Sequence, residues 1–279
     1  MSRIAARFKA LAAQGRGALI PYLEAFDPDL DTSLALLKAM PAAGADLIEV
    51  GVPFSDPSAD GPVIQLAARR GLKAGSTLAG VLKMVAAFRE EDNETPIILM
   101  GYLNPIEAYG YERFCTDAAK AGVDGLIIVD LPPEEADVIE KHTDANGLDI
   151  IRLVAPTTTD ERLRYVLSHA SGFVYYVSIT GITGTRTASV EDLSKALPRL
   201  RAATTLPVAI GFGIRSPQQA ATAASIADGA VVASALLATL AETLDENGQA
   251  TAQTLPRVLA QIEELAAAVR AAGSGAKAG

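Results

Sequence analysis

One carboxylate lies where a buried strand would favour an apolar side chain. Glu49 stands inside the run D-L-I-E-V-G-V at residues 46–52. Side chains alternate between the two faces of a strand, so Ile48 and Val50 share one face and Glu49 takes the other. The β-branched pair suits a helix layer, which leaves Glu49 pointing toward the interior. A buried carboxyl can keep its proton near neutral pH and act as a general acid; the alternative is a structural ion pair.

The loop that follows, P-F-S-D-P-S-A-D-G-P at residues 53–62, carries further carboxylates. Its prolines restrict the backbone. Asp60 precedes Gly61 and Pro62, and proline suits the first turn of a helix. Asp60 is therefore either the N-cap of that helix or a group that acts on a substrate, and the same two alternatives hold for Asp56. Two carboxyl groups in unlike environments can divide acid and base roles between them.

The elements that must position these side chains form one alternating pattern. Short apolar runs predict strands buried on both faces, at residues 18–23, 46–52, 96–102, 125–130, 149–155, 172–178, 207–211 and 229–233. Helical patterns lie between them, at residues 30–43, 78–91, 106–121, 134–146, 160–169, 190–203, 217–227 and 251–272. Gly44, Gly122 and Gly147 stand where helices should end. Residues 1–15 read as a further amphipathic helix.

Eight strands, each followed by a helix, predict a closed (β/α)8 barrel with an additional N-terminal helix. The alternative is a doubly wound open sheet, but its G-x-G-x-x-G fingerprint after the first strand is missing. We expect residues 1–271 to form a single barrel domain and residues 272–279 a disordered tail. Barrels of this class place their chemistry at the carboxyl ends of the strands, which is where Glu49 and the 53–62 loop fall.

Composition and charge exclude several classes of partner. The 279 residues include 24 Lys and Arg against 33 Asp and Glu, a formal charge of −9, and no basic block is visible. Nucleic acid and anionic membranes are therefore not expected as partners. No apolar run reaches the roughly 18 residues of a membrane span, and the N-terminal stretch lacks the apolar segment of a secretory signal. We expect a cytoplasmic protein.

Several motifs make the sequence similar to a known family. I-E-V-G-V-P-F-S-D-P-S-A-D-G-P-V-I-Q at residues 48–65 closely resembles the signature of tryptophan synthase alpha chains. The resemblance extends over nearly the whole chain, through G-Y-L-N-P at 101–105, D-L-P-P-E-E at 130–135, A-P-T at 155–157, G-I-T-G at 181–184 and G-F-G-I at 211–214. The first motif is highly specific, whereas G-F-G-I alone is shared with other phosphate-binding barrels.

The resemblance implies a lyase that cleaves indole-3-glycerol phosphate to indole and glyceraldehyde 3-phosphate by a retro-aldol reaction. Glu49 and Asp60 match the family's catalytic pair. Glu49 would protonate indole C3 and accept the proton of the glycerol hydroxyl, and Asp60 would accept a hydrogen bond from the indole N–H. The reaction requires no metal and no organic cofactor in this chain.

The phosphate of such a substrate is expected beside the last two strands. Barrels commonly bind phosphate with these loops and the N-terminus of a short helix. The candidates are Gly213, Ala233 and Ser234, to which the resemblance adds Gly184. The family usually has glycine where this chain has Ala233; a backbone N–H survives the change, so we expect weaker or slightly shifted contacts. Turn geometry alone is the alternative reading of these glycines.

The indole is expected in an apolar slot whose residues match the family's pocket positions: Tyr22, Ile64, Tyr102, Ile127, Val129, Leu153, Tyr175 and Phe212. Tyr22 stands where phenylalanine is common, and it adds a hydroxyl that needs a partner. Barrel packing is the alternative for each aliphatic residue, and for Ile127 and Leu153 taken singly it is the preferred one. The Gly-, Ser- and Thr-rich loop 178–190 is expected to close as a lid, with Thr183 hydrogen-bonding Asp60; a solvated linker is the alternative.

The resemblance also implies a partner. Members of this family pass indole to a tryptophan synthase beta subunit, which carries pyridoxal phosphate, and an alpha2-beta2 tetramer is the expected assembly. Three alternatives remain at this stage: a free-standing indole-3-glycerol-phosphate lyase, a non-catalytic activating subunit, and an isomerase of the phosphoribosylanthranilate type. Intact Glu49 and Asp60 argue against the non-catalytic subunit, and nothing in the sequence requires the isomerase.

Overall fold

The computed structural model describes residues 2–177, 190–211 and 213–273. Nine parallel strand segments form one sheet in the order β5-β4-β3-β2-β1-β9-β8-β7-β6. They are β1 (Ala18–Glu24), β2 (Ile48–Gly51), β3 (Ile97–Gly101), β4 (Gly125–Ile128), β5 (Asp149–Ile150), β6 (Arg152–Val154), β7 (Val174–Val177), β8 (Val208–Gly211) and β9 (Gly229–Val232). All eight predicted strands are present, and the doubly wound alternative is wrong.

The fifth predicted strand, residues 149–155, is interrupted at Ile151. Its first part, β5, pairs with β4, and its second part, β6, pairs with β7. The N–H of Ile151 still donates to the carbonyl of Leu126 at 2.9 Å. The two segments therefore occupy one strand position and bring the two ends of the sheet together as a barrel.

Helices connect successive strands. They are α1 (Arg3–Ala13), α2 (Leu30–Ala43), α3 (Pro62–Lys73), α4 (Leu78–Arg89), α5 (Leu103–Tyr109), α6 (Tyr111–Ala121), α7 (Asp137–Asn146), α8 (Asp160–Ser168), α9 (Val190–Ala203), α10 (Pro217–Ile226), α11 (Ser234–Glu242) and α12 (Thr254–Ala272). The helix predicted at 134–146 starts at Asp137, after a short 3-10 turn at Pro133–Glu135. No helix in the described part of the chain is long and apolar enough to cross a membrane.

The helix predicted at residues 106–121 is in fact two helices. Gly110 separates α5 from α6 with a φ of 93°, a conformation that L side chains rarely adopt. α5 also begins before the predicted start, at Leu103, so Pro105 lies in its first turn. Proline is tolerated there because a first-turn N–H has no partner within the helix.

Two layers of apolar side chains form the core. Outward-facing strand residues, including Ile48 and Val50, pack against the helices. Inward-facing residues, including Ile98 and Ile127, fill the barrel. α1 covers the amino-terminal end of the barrel: its Phe8 contacts Phe173, with ring centroids 5.6 Å apart. The predicted tail at 272–279 stays a prediction, since α12 includes Ala272 and residues 274–279 lie outside the described residues.

Buried ion pairs hold the amino-terminal ends of the strands. Asp124 pairs with Arg3 at 2.9 Å and with Arg89 at 2.7 Å, and Asp46 pairs with Arg16 at 2.8 Å. Both aspartates also accept backbone N–H bonds, Asp46 from Leu19 and Asp124 from Ile97. These charges stabilise the end of the barrel opposite the expected chemistry.

Candidate active site

Glu49 lies on β2 between two residues that face the helices. Its register partners on the neighbouring strands are Tyr22 on β1 and Ile98 on β3, and both belong to the inner core. Residues paired in register on neighbouring parallel strands point to the same face of a sheet. Glu49 therefore points into the barrel, and none of its surface is exposed.

Neither carboxyl oxygen of Glu49 has a hydrogen-bond partner among the described residues, and both oxygens are buried. The described part of the chain also gives Glu49 no ion pair, so the structural ion-pair alternative finds no support there. Burial alone raises the pKa of Glu49 from 4.5 to about 8. The side chain is therefore mostly a neutral acid at pH 7, which is the state that can donate a proton.

Asp60 ends the β2–α3 loop and is half-buried. The N-cap of α3 is Gly61, and no side chain makes a capping hydrogen bond there, so the N-cap interpretation of Asp60 is wrong. Its backbone is held instead, because Gln65 Nε2 donates to the Asp60 carbonyl at 2.8 Å. Burial raises the pKa of the Asp60 carboxyl, and hydrogen bonding by Tyr102 works in the opposite direction.

Tyr102, which directly follows β3, holds the β2–α3 loop in place, and an ion pair holds the helix that follows the loop. The Tyr102 hydroxyl accepts a hydrogen bond from the Ala59 N–H at 3.0 Å, and its ring packs on Phe54 with centroids 5.5 Å apart. Arg70 on α3 binds Asp27, beyond β1, through bonds of 2.6 and 2.8 Å. The loop that carries Asp60 is thus held by Tyr102 at one end of β3, and α3 is held by Asp27 beyond the end of β1.

Tyr22 finds the partner that its hydroxyl requires in Glu24. The Tyr22 hydroxyl donates to Glu24 Oε2 at 2.5 Å, and both residues lie at the carboxyl end of β1. Only 3% of Glu24 is exposed. Burial raises the pKa of Glu24 and the bond from Tyr22 lowers it, and the net pKa is about 8. The sequence analysis missed Glu24; its spacing of two residues from Tyr22, which puts both on one strand face, was the available signal.

Most of the predicted pocket residues gather in the inner core. Ile64, Ile127 and Tyr175 are buried members of that core, and Val129 and Leu153 pack against it. Tyr102 is buried beside the loop but belongs to neither core cluster. Phe212, like Thr183 and Gly184, lies outside the described residues. Sequence reasoning missed Met100, whose place two residues after inward-facing Ile98 was its signal.

The described candidates for phosphate binding lie beside two paired strands. Gly213 follows β8, and Ser234 begins α11 directly after β9; Ala209 of β8 is in register with Gly229 of β9. Gly213 has a φ of 86°, which favours glycine. Ser234 is exposed and Ala233 is the helix N-cap, so the first N–H groups of α11 are free of side-chain caps. A helix N-terminus of this kind can bind an anion.

The fold and the site together define a class of protein: a (β/α)8 barrel with buried or half-buried carboxyl groups at the carboxyl ends of its strands. The sequence model of the family described as "Tryptophan synthase alpha chain" matches residues 8–270. The chain therefore belongs to the tryptophan synthase alpha chain family, whose members are lyases that cleave indole-3-glycerol phosphate. The resemblance found in the sequence is confirmed, and the isomerase alternative is wrong.

Relatives and solved structures agree with this assignment. The tryptophan synthase alpha chain of Gluconacetobacter diazotrophicus is 73% identical over 270 residues, covering 97% of this chain and 98% of the relative. That of Gluconobacter oxydans is 71% identical, covering 97% and 100%. A crystal structure of tryptophan synthase subunit alpha from Legionella pneumophila matches with a TM-score of 0.88 at 39% identity, covering 96% and 98%. A structure of Mycobacterium tuberculosis tryptophan synthase matches with a TM-score of 0.87 at 39% identity, covering 96% and 98%.

Proposed function

We propose that this chain cleaves indole-3-glycerol phosphate with Glu49 as the proton-transfer group and Asp60 as its electrostatic partner. The observation that supports this most is the buried Glu49 carboxyl, which has no hydrogen-bond partner among the described residues. A carboxyl group in that position costs folding free energy, so a role in proton transfer accounts for its presence where packing does not.

The reaction requires two proton transfers that one carboxyl group can perform in turn. Protonation of indole C3 turns the ring into a leaving group. The hydroxyl on the adjacent glycerol carbon then loses its proton, its electron pair forms the aldehyde, and the electrons of the broken C–C bond return to the indole ring. With a pKa of about 8, Glu49 is protonated for the first transfer. The carboxylate that it leaves accepts the second proton, which regenerates the acid.

Asp60 serves the other side of the ring in this proposal. Positive charge develops on the indole nitrogen when C3 is protonated, and a carboxylate that accepts the N–H bond stabilises that charge. Asp60 is less buried than Glu49, and the Tyr102 hydrogen bond favours its ionised form. The two carboxyl groups therefore occupy unlike environments, as a division between acid and carboxylate roles demands.

The remaining predicted residues bind the substrate in the same proposal. The N–H groups at Gly213 and Ala233 and the hydroxyl of Ser234 hold the phosphate, together with Gly184. The inner-core residues around Tyr22, Ile127 and Tyr175 contact the indole. No metal or cofactor takes part in this chain. The cytoplasmic location expected from the sequence stays a prediction.

We also propose that the chain binds a pyridoxal-phosphate-containing beta subunit in an alpha2-beta2 tetramer. The proposed docking surface consists of the segments that follow β2, β3 and β4, at residues 53–60, 104–105 and 130–133; residues 104–105 lie in the first turn of α5. These strands are neighbours in the sheet, and Asp130 Oδ1 accepts the Leu103 N–H at 2.8 Å, which ties residues 130–133 to the start of α5, directly before residues 104–105. Restricted loops of this kind lose little entropy on binding.

An indole-release assay tests the catalytic proposal. Purified protein should release indole from indole-3-glycerol phosphate, and Glu49→Gln should lower the rate by at least about a thousandfold, since it removes the only group assigned to both proton transfers. Asp60→Asn should lower kcat and leave glycerol phosphate binding nearly unchanged. Glu263→Gln, an exposed position on α12, is the matched control. A Glu49→Gln variant that keeps a substantial rate would remove Glu49 from the mechanism.

A further inference from the structure

Tyr22 and Glu24 form a buried hydroxyl–carboxyl pair that the reaction scheme does not use. The two side chains lie on the same face of β1, and the hydroxyl donates to Glu24 Oε2 at 2.5 Å. Their exposed fractions are 4% and 3%, so water does not compete for the bond. A bond between two groups shielded from water holds both side chains in place.

The pair fills the space above Gly51. Glu24 is in register with Gly51 on β2, and a Cβ at Gly51 would lie 1.8 Å from Tyr22 Oη and 2.5 Å from Glu24 Oε2. Neither distance is possible for real atoms, so any side chain at Gly51 would displace the pair. The barrel therefore has room for these two side chains at Gly51, two residues beyond Glu49 on β2.

Tyr22 stands among three acidic groups. Burial raises the pKa of its phenol, and Glu24, Asp60 and Glu49 each raise it further. The phenol therefore keeps its proton and acts as a donor at neutral pH. The Tyr22 hydroxyl donates its hydrogen bond to Glu24; the other two acids are the proposed catalytic carboxyls.

The charged groups near Glu24 affect its pKa less than the hydrogen bond from Tyr22 does. Asp60 and Asp27 raise the pKa of Glu24, and Arg70 lowers it, all more weakly than burial and the bond from Tyr22. Arg70 is already bound to both carboxyl oxygens of Asp27. The described part of the chain therefore contains no ion pair for Glu24.

We propose that Glu24 is a positioning residue for the cleavage reaction: by accepting the Tyr22 hydroxyl, it fixes the Tyr22 ring as a pocket wall beside Glu49. Glu24 also keeps that hydroxyl away from Glu49 and Asp60, which must remain available for proton transfer and for the indole N–H. This inference rests on the proposed function. It explains how the Tyr22 hydroxyl is accommodated in the barrel interior without bonding to Glu49.

A double-mutant cycle on Tyr22 and Glu24 tests the proposal, with kcat and KM for indole release measured separately. Glu24→Leu leaves the Tyr22 hydroxyl without its acceptor, and Tyr22→Phe leaves the buried Glu24 without its donor. Each should lower kcat about tenfold or more. A buried polar group without a hydrogen-bond partner is unfavourable, so it can bond instead to another group of the site and displace it. KM should change less than about threefold, because the phosphate contacts are untouched. The Tyr22→Phe/Glu24→Leu double variant removes both groups, so neither is left unmatched, and its kcat should exceed that of each single variant by about threefold or more.

Glu24→Gln separates hydrogen bonding from charge. The amide oxygen can still accept the Tyr22 hydroxyl, so kcat should stay within about threefold of wild type. A loss as large as that of Glu24→Leu would overturn the positioning role. The proposal also fails if the double variant is no faster than the slower single variant, or if Glu24→Leu has wild-type kcat.

Two features keep the result interpretable. If Glu24→Leu does not fold, as judged by circular dichroism, the kcat of the Tyr22→Phe variant is compared with that of the double variant. Removing Glu24 from the Tyr22→Phe protein must then raise kcat, and an equal or lower value overturns the proposal. Indole release by the wild-type protein in the same assay reports on the proposed function separately, so its failure and the failure of the positioning role are distinguishable.

Discussion

Replacing Glu49 by glutamine should abolish cleavage and stabilise the fold at the same time. The pKa of Glu49 is about 8 in the folded protein, against 4.5 for an ordinary glutamate. The folded protein therefore holds this proton more tightly than the unfolded chain does. Stability from this linkage is fully present below pH 4.5, declines as the pH rises, and reaches its lowest value above pH 8.

The size of the effect follows from the same two pKa values. Each pH unit between them changes the free energy of unfolding by about 1.4 kcal/mol. Between pH 4.5 and pH 7 the wild-type protein loses about 3 kcal/mol through Glu49, and by pH 8 about 4 kcal/mol. Glutamine has nearly the same shape and no charge, so Glu49→Gln should escape this loss.

Denaturant unfolding of both proteins at several pH values measures the difference. The Glu49→Gln variant should be about 3 kcal/mol more stable than wild type at pH 7, more so at pH 8, and equal to it near pH 4.5. Glu24 is also buried, but it is present in both proteins and its contribution cancels. Glu263→Gln on α12 is exposed and should change stability little at any of these pH values.

The outcome that refutes this reasoning is parallel pH dependence. If the wild-type and Glu49→Gln curves keep a constant separation from pH 4.5 to pH 8, Glu49 has an ordinary pKa in the folded protein. The argument for a protonated acid inside the barrel would then be lost, even if the variant were inactive.

Three further predictions concern proton transfer, phosphate binding and partner docking. Wild-type kcat/KM should fall as the pH rises above about 8, because Glu49 loses the proton that indole C3 requires; a flat profile to pH 10 would contradict this. Ser234→Ala should raise KM about tenfold with kcat little changed, since one hydrogen bond to a charged phosphate is removed, and equal KM values for the two proteins would exclude the hydroxyl from binding. Asp56→Ala and Asn104→Ala should weaken the complex with a purified beta subunit several-fold and reduce activation more than the isolated rate. If no complex forms at micromolar concentrations while the isolated chain turns over rapidly, it is a free-standing lyase.

The alternation of side chains on strands made much of the site predictable. Ile48 and Val50 were expected toward the helices and Glu49 toward the interior, and the structure places them so. This inference needed only the two-residue period of a strand and the assumption of a barrel. The eight strand positions and the ends of α2 and α9 followed from apolar patterns in the same way.

Other features depend on contacts that no local pattern contains. The predicted first strand, an apolar run at residues 18–23, stopped one residue before Glu24, whereas β1 includes Glu24. Glu24 is buried because Gly51 on the next strand leaves room for it. The role of Asp60 as a cap or as a site residue was equally open, since the sequence does not show which side chain an N-cap uses. Loop contacts from Tyr102 and Gln65 fix Asp60 instead.

The buried carboxyl groups at the two ends of the barrel differ in whether they have a cationic partner. At the amino-terminal ends of the strands, Asp46 and Asp124 are matched by arginines within 2.9 Å. At the carboxyl ends, Glu24, Glu49 and Asp60 have no cationic partner among the described residues, although burial disfavours their charged forms.

An arginine beside Glu49 would relieve the cost of burial, but it would also lower the pKa and remove the proton that the reaction uses. The nearby cation that could disturb this arrangement, Arg70, is held by both oxygens of Asp27. Pairing at one end therefore stabilises the barrel, and the lack of pairing at the other keeps an acid protonated at neutral pH. Burial of a carboxylate is unfavourable at both ends of the barrel. Arginines offset this cost for Asp46 and Asp124, whereas for Glu49 the cost raises the pKa and so keeps the proton that the proposed reaction uses.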